Sequence, residues 1–200
     1  MTPPRIVAHD HVPLCRVVRR GWTDPLDTSY SQRVSANNRW NTPGFPALYC
    51  ACSERVARAV VRDVFRLAGV ELADLQEAML PQLVEIGWTG QVVDVASAEG
   101  VLAAGFPPDY PAGIDKAQTR AAAEAWHATG AGGVLGRSAS LLRAGLRAWD
   151  GPHESWSEIA VFVNNTPQRP AMLRRRTDLD WTIPAETPYP APATTPRLSP

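Results

Sequence analysis

The chain has 200 residues, a length that suits one domain with its own core and no need of disulfides or a structural metal. Hydrophobic residues make up 44% and charged residues 20% of it, which excludes wholesale disorder and collagen-like or coiled-coil chains. Twenty basic side chains balance twenty acidic ones, so the field of a general nucleic-acid binder is missing and any phosphate site must be local.

The first ten residues have no basic stretch leading into an apolar segment, and no run approaches the roughly 18 apolar residues of a spanning helix. A cytoplasmic protein with no membrane contact is expected. Residues 14–18, Leu-Cys-Arg-Val-Val, read as a first strand from which Arg16 projects. Residues 31–46 are polar and turn-forming, with Pro43 and Gly44 at the centre of a type II turn, and read as a loop. Residues 47–52 return to a strand pattern in which Cys50 and Cys52 share one face; with Cys15 they form an odd set without zinc spacing, expected to be buried structural thiols. Ser53 then caps a helix over residues 54–68, stopped at Gly69, with Val56, Val60, Val64 and Leu67 on one face and Arg58, Arg62 and Arg66 on another.

Residues 83–86 and 91–95 read as two strands joined tightly through residues 87–90. Ser97 caps a short helix ending before Gly105, and residues 115–129 carry the alanine-rich pattern of a second long helix stopped by Gly130. Residues 133–138 and 158–164 complete the strands, giving an α/β (α+β) domain with one mixed sheet over residues 1–181. Residues 182–200 contain six prolines and are expected to form an extended tail.

Most motifs fail as chemistry. Gly130-Ala-Gly-Gly-Val-Leu-Gly-Arg-Ser138 lacks the first glycine and the lysine of a phosphate loop and runs from helix to strand, the wrong order for anion binding. His9, His11, His127 and His153 offer no metal pairing beyond one His-x-His near the terminus, so no metal is expected. Arg174-Arg-Arg176 is a local basic run that reads as a solvated segment, and direct nucleic-acid binding is not expected. On residue chemistry alone, the segment from Asn37 to Tyr49, with an arginine beside tryptophan, is first a packed turn.

That segment also carries a resemblance. Arg39-Trp-Asn-x-Pro-Gly-x-Pro-x-Leu-Tyr49, followed by Ser53 and Ala57, then Val92-Val-Asp-Val95, Gly133-Val-Leu-Gly-Arg-Ser138 and Ile159-Ala-Val-Phe162, resembles in its order the RES family, toxins of toxin–antitoxin pairs. The resemblance spans residues 14–165. It implies a fold related to ADP-ribosyltransferases and an activity that cleaves the nicotinamide–ribose bond of NAD, with phosphate or water as acceptor. NAD is then a substrate or ligand rather than a resident cofactor. A helix-turn-helix (Xre-type) antitoxin is the implied protein partner, and self-association stays open.

Arg39, Tyr49 and Ser138 match the family's arginine, tyrosine and serine, and Arg16 resembles the arginine of its first strand; these four would hold NAD. The family glutamate falls on Val60. A carboxylate is needed where departing nicotinamide leaves an oxocarbenium-like ribose, so Asp63, one helical step round from Val60, and Glu158, at the start of the closing strand, are the substitutes, alongside Arg39 and Ser138 as catalytic candidates. The alternative is a noncatalytic NAD- or ADP-ribose-binding or protein-interaction module that has lost the glutamate.

Overall fold

The structure is a computed structural model that describes residues 3–10, 13–35, 38–146, 152–177 and 179–181. In chain order the strands are β1 (Ile6–His9), β2 (Leu14–Arg19), β3 (Ala47–Ala51), β4 (Pro81–Gly87), β5 (Gly90–Val95), β6 (Gly133–Arg137), β7 (Ser157–Phe162) and β8 (Ala171–Arg176). The α-helices are α1 (Ser29–Arg33), α2 (Glu54–Leu67), α3 (Ala98–Ala103), α4 (Lys116–Ala128) and α5 (Ala139–Arg143).

Four of these helices start for the same local reason: an extended Ser or Asp accepts the N–H three residues on, satisfying one of the free donors of the first turn. Ser53 takes Val56 N–H, Ser97 takes Gly100 N–H, and Ser138 takes Leu141 N–H. Asp115 takes Gln118 N–H while Gln118 reaches back, a full capping box.

The strands form one mixed sheet in the order β1-β5-β6-β7-β3-β2-β4-β8, antiparallel except for β5 and β6, whose parallel crossover holds α3 and α4. The tight connection expected between residues 87 and 90 is present, but it is not a hairpin. β4 pairs with β2 and β8, whereas β5 pairs with β1 and β6, leaving four strands between them. Three Cα steps reach at most about 11 Å, while five flat interstrand spacings would need about 24 Å. The sheet therefore curls until its two halves meet at this corner, where Trp88 is buried and its Nε1 donates to Thr166 Oγ1 at 2.9 Å. Strands that switch between halves in this way make the corners of crossed sheets.

Two cores result. One contains Leu14, Leu48, Val56, Val61, Leu83, Ile86 and Ile159; the other contains Trp40, Phe45, Val93, Val95, Tyr110, Trp126, Ala160 and Phe162. Alternation along β7 sends Ile159 and Val161 to the first and Ala160 and Phe162 to the second.

Three local expectations differ from what forms. The valine stripe of α2 is not its core face: Val56 is buried, but Val64 and Leu67 are 57% and 68% exposed, and the buried set includes Ala57, Arg58, Ala59, Val61 and Asp63. Arg58 can be buried because Glu54 Oε1 and the Asp180 carbonyl take its N–H groups. The loop over residues 31–46 begins inside α1. Arg174 to Arg176 lie in β8, an edge strand, and each is engaged within the fold: Arg174 with Glu85 (2.6 Å), Arg175 with the Thr23 carbonyl (3.0 Å) and Arg176 with Glu54 (2.9 Å). The tail assigned to residues 182–200 lies outside the described residues. No helix among the described residues is long and apolar enough to cross a membrane.

Candidate functional site

Glu158 stands in β7 with the same facing as Ala160, and its two sheet neighbours are Gly136 on β6 and Ala51 on β3. Small residues on both sides leave its carboxylate room to be gripped from elsewhere. Arg39 Nη2 donates to Glu158 Oε2 at 3.1 Å, and Ser138 Oγ donates to Glu158 Oε1 at 2.5 Å. Arg39 and Glu158 side chains are 18% and 19% exposed, so the ion pair is poorly screened but keeps an opening to solvent. Burial pushes the Arg39 guanidinium down, while Tyr110, Glu158 and Tyr49 push it up and prevail. It stays charged. Residues 119 apart in the chain thus meet at one carboxylate.

Glu158 opens onto a cleft of about 310 Å³ whose lining includes Arg16, Trp22, Tyr30, Tyr49, Ala51, Val60 and Glu158. Val60 lines this cleft. Tyr49 presents its ring to it, while its hydroxyl is spent on the loop before β3: Oη accepts from Trp40 N–H and donates to Asn41 Oδ1, both at 2.9 Å. Asn38 Nδ2 braces the same loop through Asn41 Oδ1 and the Ser31 carbonyl. Burial fixes the Tyr49 phenol as a neutral group, well above its ordinary value. Arg16 donates to the Asp27 carbonyl at 2.9 Å and pairs with no carboxylate among the described residues. Burial lowers its pKa without removing its charge at neutral pH.

The structure therefore brings Arg39, Ser138 and Glu158 together and sets Arg16 and Tyr49 on the adjoining cleft. Ser138 is fully buried and not on the cleft wall; its hydroxyl serves Glu158 and the first turn of α5. Asp63 is not part of this constellation. Its buried carboxylate takes both Arg143 Nε (3.0 and 2.8 Å) and Arg143 Nη2, together with Arg66 Nη2 (3.1 Å) and Ser140 Oγ (3.1 Å). Its lone pairs are committed to Arg66 within α2 and to Ser140 and Arg143 on α5, which is why an acid one step round from Val60 does not turn into the cleft. Among the described residues, no group of three His, Cys, Asp or Glu side chains is placed to hold a metal.

The profile of the RES domain family matches residues 13–186. The chain belongs to the RES domain family. A chain of the crystal structure of the M. tuberculosis MbcT–MbcA toxin–antitoxin complex is similar to this RES domain in fold, with a TM-score of 0.65 and 21% identity, over 84% of this chain and 85% of that one. No curated protein sequence matches the chain.

Within the RES domain the asparagines Asn38 and Asn41 and the aromatic Trp22 and Tyr30 went unassigned in the sequence reading. Asn38 and Asn41 flank the motif arginine, and two amides within four residues of a loop are a signal of side-chain bracing. Tyr30 joins the cleft through α1, tied to the start of β3 by Ser31 Oγ donating to the Ala47 carbonyl at 2.8 Å, and Trp22 through the turn after β2, placements that no local pattern announces.

Proposed function

We propose that this RES domain is a toxin-type enzyme that consumes NAD. The C–N bond between ribose and nicotinamide breaks, the electron pair leaves with nicotinamide, and a water or phosphate oxygen bonds to the ribose carbon and releases its proton. The observation carrying this reading is the Glu158 carboxylate, oriented by Arg39 and Ser138 at a cleft where Val60 replaces the family glutamate. A fixed carboxylate stabilises the positive charge that develops on the ribose, the kind of preorganised electrostatic effect that dominates many enzymes. Arg16, a cation without a carboxylate partner on the cleft wall, suits the pyrophosphate, and the Tyr49 ring offers a stacking face. NAD is substrate here, not a resident cofactor. Likeness to a chain from a toxin–antitoxin complex supports an antitoxin as partner; the proposed place of action, where NAD is at hand, is the cytoplasm.

Incubation of the purified protein with NAD, with and without phosphate, reads nicotinamide release. Glu158→Gln keeps the shape and loses the charge, so release falls at least about 100-fold, while ADP-ribose still raises the thermal midpoint. An unchanged rate in this variant overturns the assignment. The second reading, a noncatalytic NAD- or ADP-ribose-binding module, rests on Val60 and is selected if ADP-ribose stabilises the wild type yet no nicotinamide appears.

A further inference from the structure

Glu158 on β7 is directly opposed by Ala51 on β3, and Ala51 in turn by Cys15 on β2, so two interstrand spacings, about 10 Å, separate the carboxylate from β2. Arg16 is the next residue along that strand. Beyond the end of β2, the segment over residues 22–30 contributes two aromatic side chains to the same cleft, Trp22 and Tyr30. The cleft thus has a carboxylate on β7, a guanidinium two strands away and aromatic rings on the segment that follows.

That segment is firmly built. Trp22 N–H donates to the Arg19 carbonyl at 3.1 Å and closes the turn after β2, and the Asp24 and Asp27 carboxylates accept the N–H groups of Leu26 and Ser29 at 2.9 and 2.8 Å. Arg16 itself holds the segment through the Asp27 carbonyl, and Ser31 Oγ ties α1 to the Ala47 carbonyl. The rings it carries are nevertheless only half used by the fold. Trp22 packs against the first core but meets no other aromatic ring among the described residues. Tyr30 is 55% exposed, with the Arg33 guanidinium 6.0 Å from its ring centroid. Rings held rigidly and left partly in water gain from a flat apolar ligand laid against them. The amide beside them is already spent, since Asn38 Nδ2 donates to both the Ser31 carbonyl and Asn41 Oδ1. No side-chain amide is left there to read the edge of a base, so what the rings read is a flat π-face.

We propose that Trp22 and Tyr30 form the subsite for the adenine half of NAD, holding the base by its faces while Arg16 takes the pyrophosphate and Glu158 the reacting ribose. The site therefore accepts hypoxanthine or guanine in place of adenine. The inference rests on the proposed reading of the cleft as an NAD site.

ADP-ribose and ribose 5-phosphate have no nicotinamide to lose, so their binding to the full chain, measured by calorimetry, separates the base subsite from the rest of the cleft. Trp22→Ala and Tyr30→Ala each raise the Kd of ADP-ribose about tenfold, the effect of removing one stacking ring, and leave that of ribose 5-phosphate within about twofold. Trp22→Phe keeps a ring and stays within about threefold of the wild type for ADP-ribose, and the hypoxanthine and guanine analogues bind the wild type within about threefold of ADP-ribose. Unchanged ADP-ribose affinity in both alanine variants overturns the inference, as does an equal loss of ribose 5-phosphate, which means a deformed cleft, or a hypoxanthine analogue bound about tenfold more weakly. Where Trp22→Ala fails to fold, Tyr30→Ala decides, because a residue more than half exposed leaves the thermal midpoint nearly unchanged. If the wild type binds ADP-ribose with this dependence yet releases no nicotinamide from NAD, the proposed reaction fails and the subsite stands; if it binds no ADP-ribose, both fail.

Discussion

Cys15, Cys50 and Cys52 are free thiols packed in the core around β2 and β3. Burial pushes Cys15 and Cys50 up to about 12 and Cys52 well above the ordinary thiol value, and the thiolate is the reactive form. Native protein at pH 8 therefore leaves a chromogenic disulfide reagent unreacted over minutes, whereas denatured protein titrates three thiols; a rapid native reaction at any one of them contradicts the burial. The buried-thiol expectation was legible because a Cys-x-Cys pair in an apolar strand has no metal spacing. Arg39, Ser138 and Glu158 were legible one by one, the first two from motif and the last from its place at the head of a strand. Their convergence on one carboxylate was not, since it depends on β-strand register across more than a hundred residues. The bonds of Asp63 to Arg143, Arg66 and Ser140 were not legible, because helical angle says where a side chain starts, not which partners have claimed it.

At the scale of elements, Asp63 is the tie between α2 and the helix that Ser138 caps. Burial alone would raise its pKa, but the bonds from Arg143, Arg66 and Ser140 prevail and lower it below 3.8. A carboxyl lowered by folding adds stability above its unfolded value, and that contribution is lost as pH falls through the folded value. Asp63→Asn thus lowers the thermal midpoint at neutral pH by about 5 °C, corresponding to about 2 kcal/mol for a buried acid paired with half-exposed arginines. The gap between variant and wild type is complete above about pH 5, begins to close below about pH 4 and narrows further as pH falls toward the folded value; a gap that does not narrow at all on acidification refutes the ion-pair origin. α3 is held differently, by close approach. A Cβ on Gly100 would lie 2.2 Å from the Asp94 carbonyl oxygen, and backbone cannot step aside as a side chain can. Gly100→Ala costs about 3 kcal/mol, read as a lower denaturant midpoint with the slope unchanged. The Ser53 cap, the alanine-rich pattern of α4 and the stops at Gly69 and Gly130 made the long helices readable from sequence. β1, β8 and α1 escaped because none of the three contains a buried residue, so none presents the apolar core face that a pattern reader detects.

Across the whole molecule, local signals marked six of the eight described strands but not their neighbours. A two-residue link reads as a hairpin unless the curl of the sheet is known, and that curl is set by partners far away in the chain. β3 and β7 lie side by side with Tyr49 opposite Ala160, a separation that makes closure entropically costly and slow. The consequence falls on the time course of synthesis. Arg39 and Glu158 are 119 positions apart, so a ribosome adding 5–20 residues per second needs about 6–24 s to go from one to the other. Throughout that interval the nascent chain holds an arginine with no carboxylate and half a cleft wall. β7 is translated after β2, β3 and α2, which wall the same cleft, so nothing that recognises the finished cleft has anything to bind until β7 has been made.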